Sequence, residues 1–88
     1  MKMIIAIVND VDSDHLLHAL TNADFRVTTI ASTGGFLRHG LTTLLCAVED
    51  QKLEDALAVI RGYYPPVAED APKRCTIFVI NVVEYHHF

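Results

Sequence analysis

The chain predicts an α+β fold of element order βαββαβ, and three observations carry that prediction. Four apolar runs rich in β-branched residues are interrupted by two stretches with helical spacing. The two remaining connections are a glycine-rich segment and a proline-rich one, both of which break regular structure. The length of 88 residues makes a single domain, 1–88, in which roughly two-thirds of the unfolded chain's surface can be buried, enough for one modest core.

Met3 to Val8 is a continuous apolar run closed by Asn9 and Asp10, the length and composition of a buried strand. "DVDSDHLLHALTNAD" follows. Asp12 or Ser13 is its candidate N-cap, and Leu16, Leu17, Leu20 and Ala23 are spaced to line one helical face. Phe25 to Ser32 alternates, with Phe25, Val27, Thr29 and Ala31 on one side and Arg26, Thr28, Ile30 and Ser32 on the other. After the glycine segment, Thr42 to Val48 is a third strand ended by Glu49 and Asp50. Lys52 to Gly62 is a second amphipathic helix with Leu53, Ala56, Leu57 and Ile60 inward and Gly62 as its stop. "YYPPVAEDAPK" is a loop in which Tyr63, Tyr64, Pro65 and Pro66 make a short rigid connection, Arg74 to Val83 is the last strand, and "EYHHF" is a tail.

The economical packing of this order is a four-stranded antiparallel sheet with both helices on one face, the ferredoxin-like arrangement. Strands whose second face met water would alternate apolar and polar, yet "MIIAIV", "LLCAV" and "TIFVINVV" are apolar at nearly every position. Two helices cannot cover both faces, so an oligomer is expected to bury the other. Only the second strand departs, placing Arg26 and Thr28 on that side. Polar side chains on an otherwise apolar surface mark a candidate site.

Composition removes several function classes. A net charge of −4 with no lysine or arginine cluster argues against nucleic acid, which is bound by a basic face that releases counterions. Cys46 and Cys75 lie singly in apolar runs and read as reduced core thiols. The six apolar residues near the N-terminus are too few for a secretory signal or a membrane span, so the expectation is a cytoplasmic protein with no membrane partner. No local nucleophile and base, or polarised carboxylate pair, suggests catalysis. The acids Asp10, Asp12, Asp14, Glu49 and Asp50 fall at helix starts, where capping and the helix dipole account for them. His15 and His18 are three apart on one helix but have no evident third ligand, and adjacent His86 and His87 point apart if extended, so no metal site and no cofactor is expected.

The segment "ASTGGFLRHGLTT" carries more special residues than a turn needs. Gly34 and Gly35 allow positive φ and can expose successive N–H groups as an anion cradle. Arg38 adds a planar cation, Thr33, Thr42 and Thr43 add neutral donors, and Phe36 with Leu37 suits the face of a base. The residues alone leave two readings open, a plain turn and a ligand loop. The segment lacks the P-loop pattern and does not precede a helix.

"MKMIIAIV", "FRVTTIASTGGFLRHGLTTLLCAV" and "HHF" together resemble the PII-like cyclic-di-AMP receptor family, across all of the chain except the proline loop. The resemblance implies a PII-like homotrimer that binds cyclic di-AMP, or another adenine nucleotide, between subunits and signals to a protein partner without catalysis. It places ligand contacts on Arg26 and Thr28, on Phe36 and Leu37, and on the tail around His86 and His87. Four departures accompany it. Leu41 and Asp24 stand where the family has asparagine, Ala47 where it has glycine, and His87 where it has glutamine. The loop before the last strand is also short. The candidate ligand set is therefore Arg26, Thr28, Gly34, Gly35, Phe36, Leu37, Arg38, Leu41, Ala47 and His87. Two rivals remain, a trimeric adaptor without ligand and an ACT-like small-molecule sensor. The second needs its glycine loop after the first strand, where this chain has "NDVDSD".

Overall fold

The computed structural model describes residues 1–31, 40–64 and 74–88. The elements run in the expected order: β1 Lys2–Asn9, α1 Asp10–Asn22, β2 Val27–Ala31, β3 Leu41–Val48, a 3-10 turn Asp50–Lys52, α2 Leu53–Tyr63 and β4 Cys75–Asn81. All strand pairs are antiparallel and the sheet order is β2-β3-β1-β4, the ferredoxin-like topology. The central strands are β3 and β1, the two most continuously apolar, as expected for strands covered on both edges.

Register divides the side chains cleanly. Ile4 stands opposite Cys46 and Val79, Ala6 opposite Leu44 and Ile77, and Val8 opposite Thr42 and Cys75. Directly paired residues share a face, so these side chains form one layer. Against it lie Leu16 and Leu20 of α1 and Ala56 and Ile60 of α2, all buried. Leu53, Leu57, Phe25 and Val27 close the layer's margin, as their spacing predicts. The opposite face carries Met3, Ile5 and Ile7 from β1, Leu45 and Ala47 from β3, Thr28 and Ile30 from β2, and Phe78 and Ile80 from β4. Among the described residues no helix covers it: Phe78 is 52% exposed, Ile80 49% and Ile30 48%.

The helix ends differ from expectation in informative ways. The N-cap of α1 is Asn9, without a side-chain capping bond, rather than Asp12 or Ser13. At the other end Ala23 is exposed and leaves the inward face, because the helix stops there in a Schellman motif. Phe25 N–H donates to Leu20 C=O at 3.0 Å and Asp24 N–H to Thr21 C=O at 3.0 Å. Asp24 takes the left-handed position with φ 68°, a place usually held by glycine or asparagine. Gly62 does not stop α2. The helix continues to Tyr63, and Tyr64 caps it with an N–H donated to Ile60 C=O at 3.0 Å. Both tyrosine rings pack on the core, which rewards the extra residues.

Candidate functional site

The Schellman turn determines where the site lies. It reverses the chain so that Phe25 turns in against the core and Arg26 emerges on the uncovered face as β2 begins. There Arg26, Thr28 and Ala47 line one open hollow of about 380 Å³. Met1, Met3, Leu45 and Tyr85 of the tail complete its lining. A second hollow of about 370 Å³ adjoins it, sharing Arg26 and Ala47 and adding Asp24, Glu49 and Lys52. Arg26 thus stands between an apolar space lined in part by an aromatic ring and a charged one. Chemically this suits a flat apolar ring on one side of the guanidinium and an anionic group held by it.

Three of the candidate residues, Arg26, Thr28 and Ala47, are therefore together. His87 lies in the exposed tail with its ring 6.4 Å from that of Tyr85, which connects it to the same lining. Leu41 is not part of this group. It opens β3 opposite Asn9, six residues from Ala47, so at about 3.4 Å per residue it sits about 20 Å away on the same face. Gly34, Gly35, Phe36, Leu37 and Arg38 lie outside the described residues, as do Pro65 and Pro66 of the proline connection. The contributions of Met1, Met3 and Tyr85 were invisible to motif reasoning, because they come from the two chain ends. The one available signal was the aromatic tail beside a strand whose register with β1 brings both ends together.

A second cluster corrects the reading of Asp12 as a helix-capping residue. Asp12 is buried, and its Oδ1 accepts hydrogen bonds from Arg74 Nη2 at 2.8 Å and from Tyr63 OH at 3.3 Å. Arg74 also stands over the Tyr64 ring, 5.2 Å from its centroid, and the rings of Tyr63 and Tyr64 meet edge to face at 4.8 Å. Burial, and then the Asp12 charge, pushes the phenol of each tyrosine above its ordinary range. The same two causes push Cys75 up to about 11, and burial alone raises Cys46, so both cysteines are held as thiols of low reactivity. Asp10, in the same helical turn, accepts a hydrogen bond from the Thr42 hydroxyl, and its N–H donates to Gly40 C=O at 2.7 Å. The helix dipole still favours both acids, but their carboxylates are spent on neighbouring strands and loops rather than on the helix end.

Residues 1–65 match the sequence model of the family described as Cyclic-di-AMP receptor. That stretch spans both helices, three strands and the glycine segment, and the chain belongs to this family. A similar solved structure is that of a functionally unknown protein from Pediococcus pentosaceus. It is 27% identical, covers 99% of this chain with 96% of its own length aligned, and superposes with a TM-score of 0.76. The ferredoxin-like α+β fold thus extends to β4 and the tail, beyond the family match. Among the described residues no helix is long and apolar enough to cross a membrane.

Proposed function

We propose that this protein is a PII-like signalling receptor which binds cyclic di-AMP, or a related adenine nucleotide, in a cleft completed by a neighbouring copy of the chain in a homotrimer. The observation that carries the reading is the position of Arg26 and Thr28 in a hollow on an apolar sheet face that the protein's own helices leave uncovered. Arg26 holds a phosphate, Thr28 donates a hydrogen bond, and the Tyr85 ring flanks a base. Gly34, Gly35, Phe36, Leu37 and Arg38 of the glycine segment complete the cleft, with His87 beside Tyr85. Leu41, at the far end of β3, reaches a ligand only through the copy on the other side of the cleft. In this reading the protein acts in the cytoplasm on a protein partner and catalyses no reaction.

Thermal shift across cyclic di-AMP, cyclic di-GMP, ATP, ADP and AMP tests it, because a ligand at one hundred times its Kd stabilises by about 2.7 kcal/mol. Cyclic di-AMP is expected to give the largest shift, with light scattering reporting a trimer. A trimer that no nucleotide stabilises would instead support the adaptor reading, which the apolar Leu41 favours. A monodisperse monomer would remove the intersubunit cleft.

A further inference from the structure

The charged hollow beside Arg26 is lined by two cations and two carboxylates, Arg26 and Lys52 against Asp24 and Glu49. All four residues are exposed. Among the described residues, none of the four makes an ion pair or a side-chain hydrogen bond, although charges of both signs line one space. Asp24 is carried there by the left-handed turn after α1, and Glu49 by the end of β3. Lys52 stands at the N-cap of α2, where the helix dipole disfavours a cation. No ion pair among the described residues offsets that cost, so the hollow it shares with Arg26 is the place to look for what does.

Charge balance decides what such a hollow accepts. Two cations and two carboxylates cancel, so an entering anion gains close contacts with Arg26 and Lys52 but meets no net attractive field. The opposing cost is the water stripped from the anion, and it rises steeply with the charge carried. A phosphodiester brings a single negative charge, whereas a terminal phosphate brings about −1.5 to −2 and a polyphosphate chain more. A balanced lining therefore admits the first and turns away the others. In a plain anion trap Asp24 and Glu49 would only weaken binding. In a filter they are the repulsive element that discriminates.

We propose that Asp24 and Glu49 are specificity-determining residues, which tune the hollow lined by Arg26 and Lys52 to a singly charged phosphodiester and exclude nucleoside polyphosphates. The inference deepens the nucleotide reading above and rests on it: Arg26 and Ala47 are shared by both hollows, so a ligand with its base in the apolar one presents its phosphate to the charged one. Lys52 is then the second cation on that phosphate. Removing either carboxylate leaves the lining net positive, and the attraction gained scales with the charge of the ligand. ATP should therefore gain far more than cyclic di-AMP.

The test is calorimetry with cyclic di-AMP and with ATP on the wild type and on the double variant Asp24→Asn, Glu49→Gln. Both substitutions keep side-chain shape at exposed positions, and asparagine tolerates the left-handed backbone at 24. The double variant should bind cyclic di-AMP about two- to threefold tighter and ATP about ten- to fiftyfold tighter than the wild type. Equal gains for the two ligands, or no gain for ATP, overturn the proposal. A second arm titrates inorganic pyrophosphate, which has no base, and follows the Arg26 and Lys52 amides by NMR. The double variant should bind it about tenfold tighter than the wild type, and adding Lys52→Gln should cancel that gain. If the wild type takes up no cyclic di-AMP, the nucleotide reading falls and pyrophosphate decides alone: a gain that depends on Lys52 upholds the filter, while equal affinity in the two proteins, or a gain that survives Lys52→Gln, overturns it.

Discussion

The two faces of the sheet are built from the same kinds of side chain and end in different environments. On the helix face Ile4, Ala6, Val8, Leu44 and Cys46 are shut away by α1 and α2 within a single chain. On the other, Met3, Ile5, Ile7 and Leu45 remain half-buried, and Phe78 and Ile80 stand about half exposed. Hydrophobicity alone does not separate them. What separates them is that only the second face admits Arg26 and Thr28, and it admits them beside a hollow. The helix face holds polar groups too, Thr42 and Asp12, but these are buried and paired within the chain by Asp10, Arg74 and Tyr63, whereas Arg26 and Thr28 stand exposed at a hollow.

The largest expected effect breaks the comparison on the folding side. Leu16 is fully buried under the sheet, so Leu16→Ala leaves a cavity and should lower stability by about 2 to 5 kcal/mol in chemical denaturation. Phe78→Ser, at a residue half exposed on the open face, should leave the isolated chain's unfolding within about 1 kcal/mol and instead abolish association in light scattering. Equal destabilisation of the monomer by the two substitutions would show that both faces serve folding alike.

Next comes the site. Arg26→Ala should weaken cyclic di-AMP by about 1.5 to 3 kcal/mol, the range for a hydrogen bond to a charged group, while moving stability by only about 0.5 kcal/mol. Calorimetry paired with thermal melting separates the two. Unchanged affinity would transfer the phosphate to Arg38 or remove it from this face altogether.

A smaller effect is expected at the departures from the family. Leu41→Asn supplies the amide that the sequence resemblance implies there and should tighten binding by about 1 kcal/mol, one neutral hydrogen bond. Asp24→Asn keeps a side chain that tolerates φ 68° and removes a negative charge from the hollow beside Arg26, so it should also tighten an anionic ligand. No gain from either would mean that the ligand does not reach these positions.

Most of the fold was legible because it rests on local pattern. The period of Leu16 and Leu20, and of Ala56 and Ile60, gave each helix an inward face, and the βαββαβ order put both helices on one side of the sheet. The uncovered face was legible too, from strands that failed to alternate. Element ends were less so. Asp24 reads as an ordinary loop acid until its left-handed backbone is seen, and Gly62 reads as a helix stop until Tyr63 and Tyr64 are found packing on the core. Asp12 was misjudged for a physical reason: local sequence explains an acid at a helix start, while its partner Arg74 lies 62 residues away. Tyr85, Met1 and Met3 were missed for the same cause, since β1 reaches Arg26 only through its pairing with β3, which sets Met3 opposite Ala47, and the tail follows β4 on the other side of β1. Within the candidate site, then, strand periodicity found Arg26 and Thr28, and long-range pairing supplied the rest.

The smallest expected effect probes how dry the helix face is. Cys46 and Cys75 both belong to it, paired opposite Ile4 and Val8, and both thiols are raised, Cys75 to about 11 from an ordinary 9.0. A raised thiol means the folded chain holds the proton more tightly than the unfolded one. Its contribution is intact below pH 9 and is lost as pH climbs from 9 towards 11, where the unfolded thiolate forms first. Tyr63 and Tyr64 shift in the same direction and steepen the alkaline loss. Melting temperature should therefore fall above pH 9 in the wild type and fall less in Cys75→Ala, since that variant has one fewer thiol to ionise on unfolding. Equal alkaline slopes in the two proteins would place Cys75 in contact with water, and with it the end of the helix-facing layer where β4 begins.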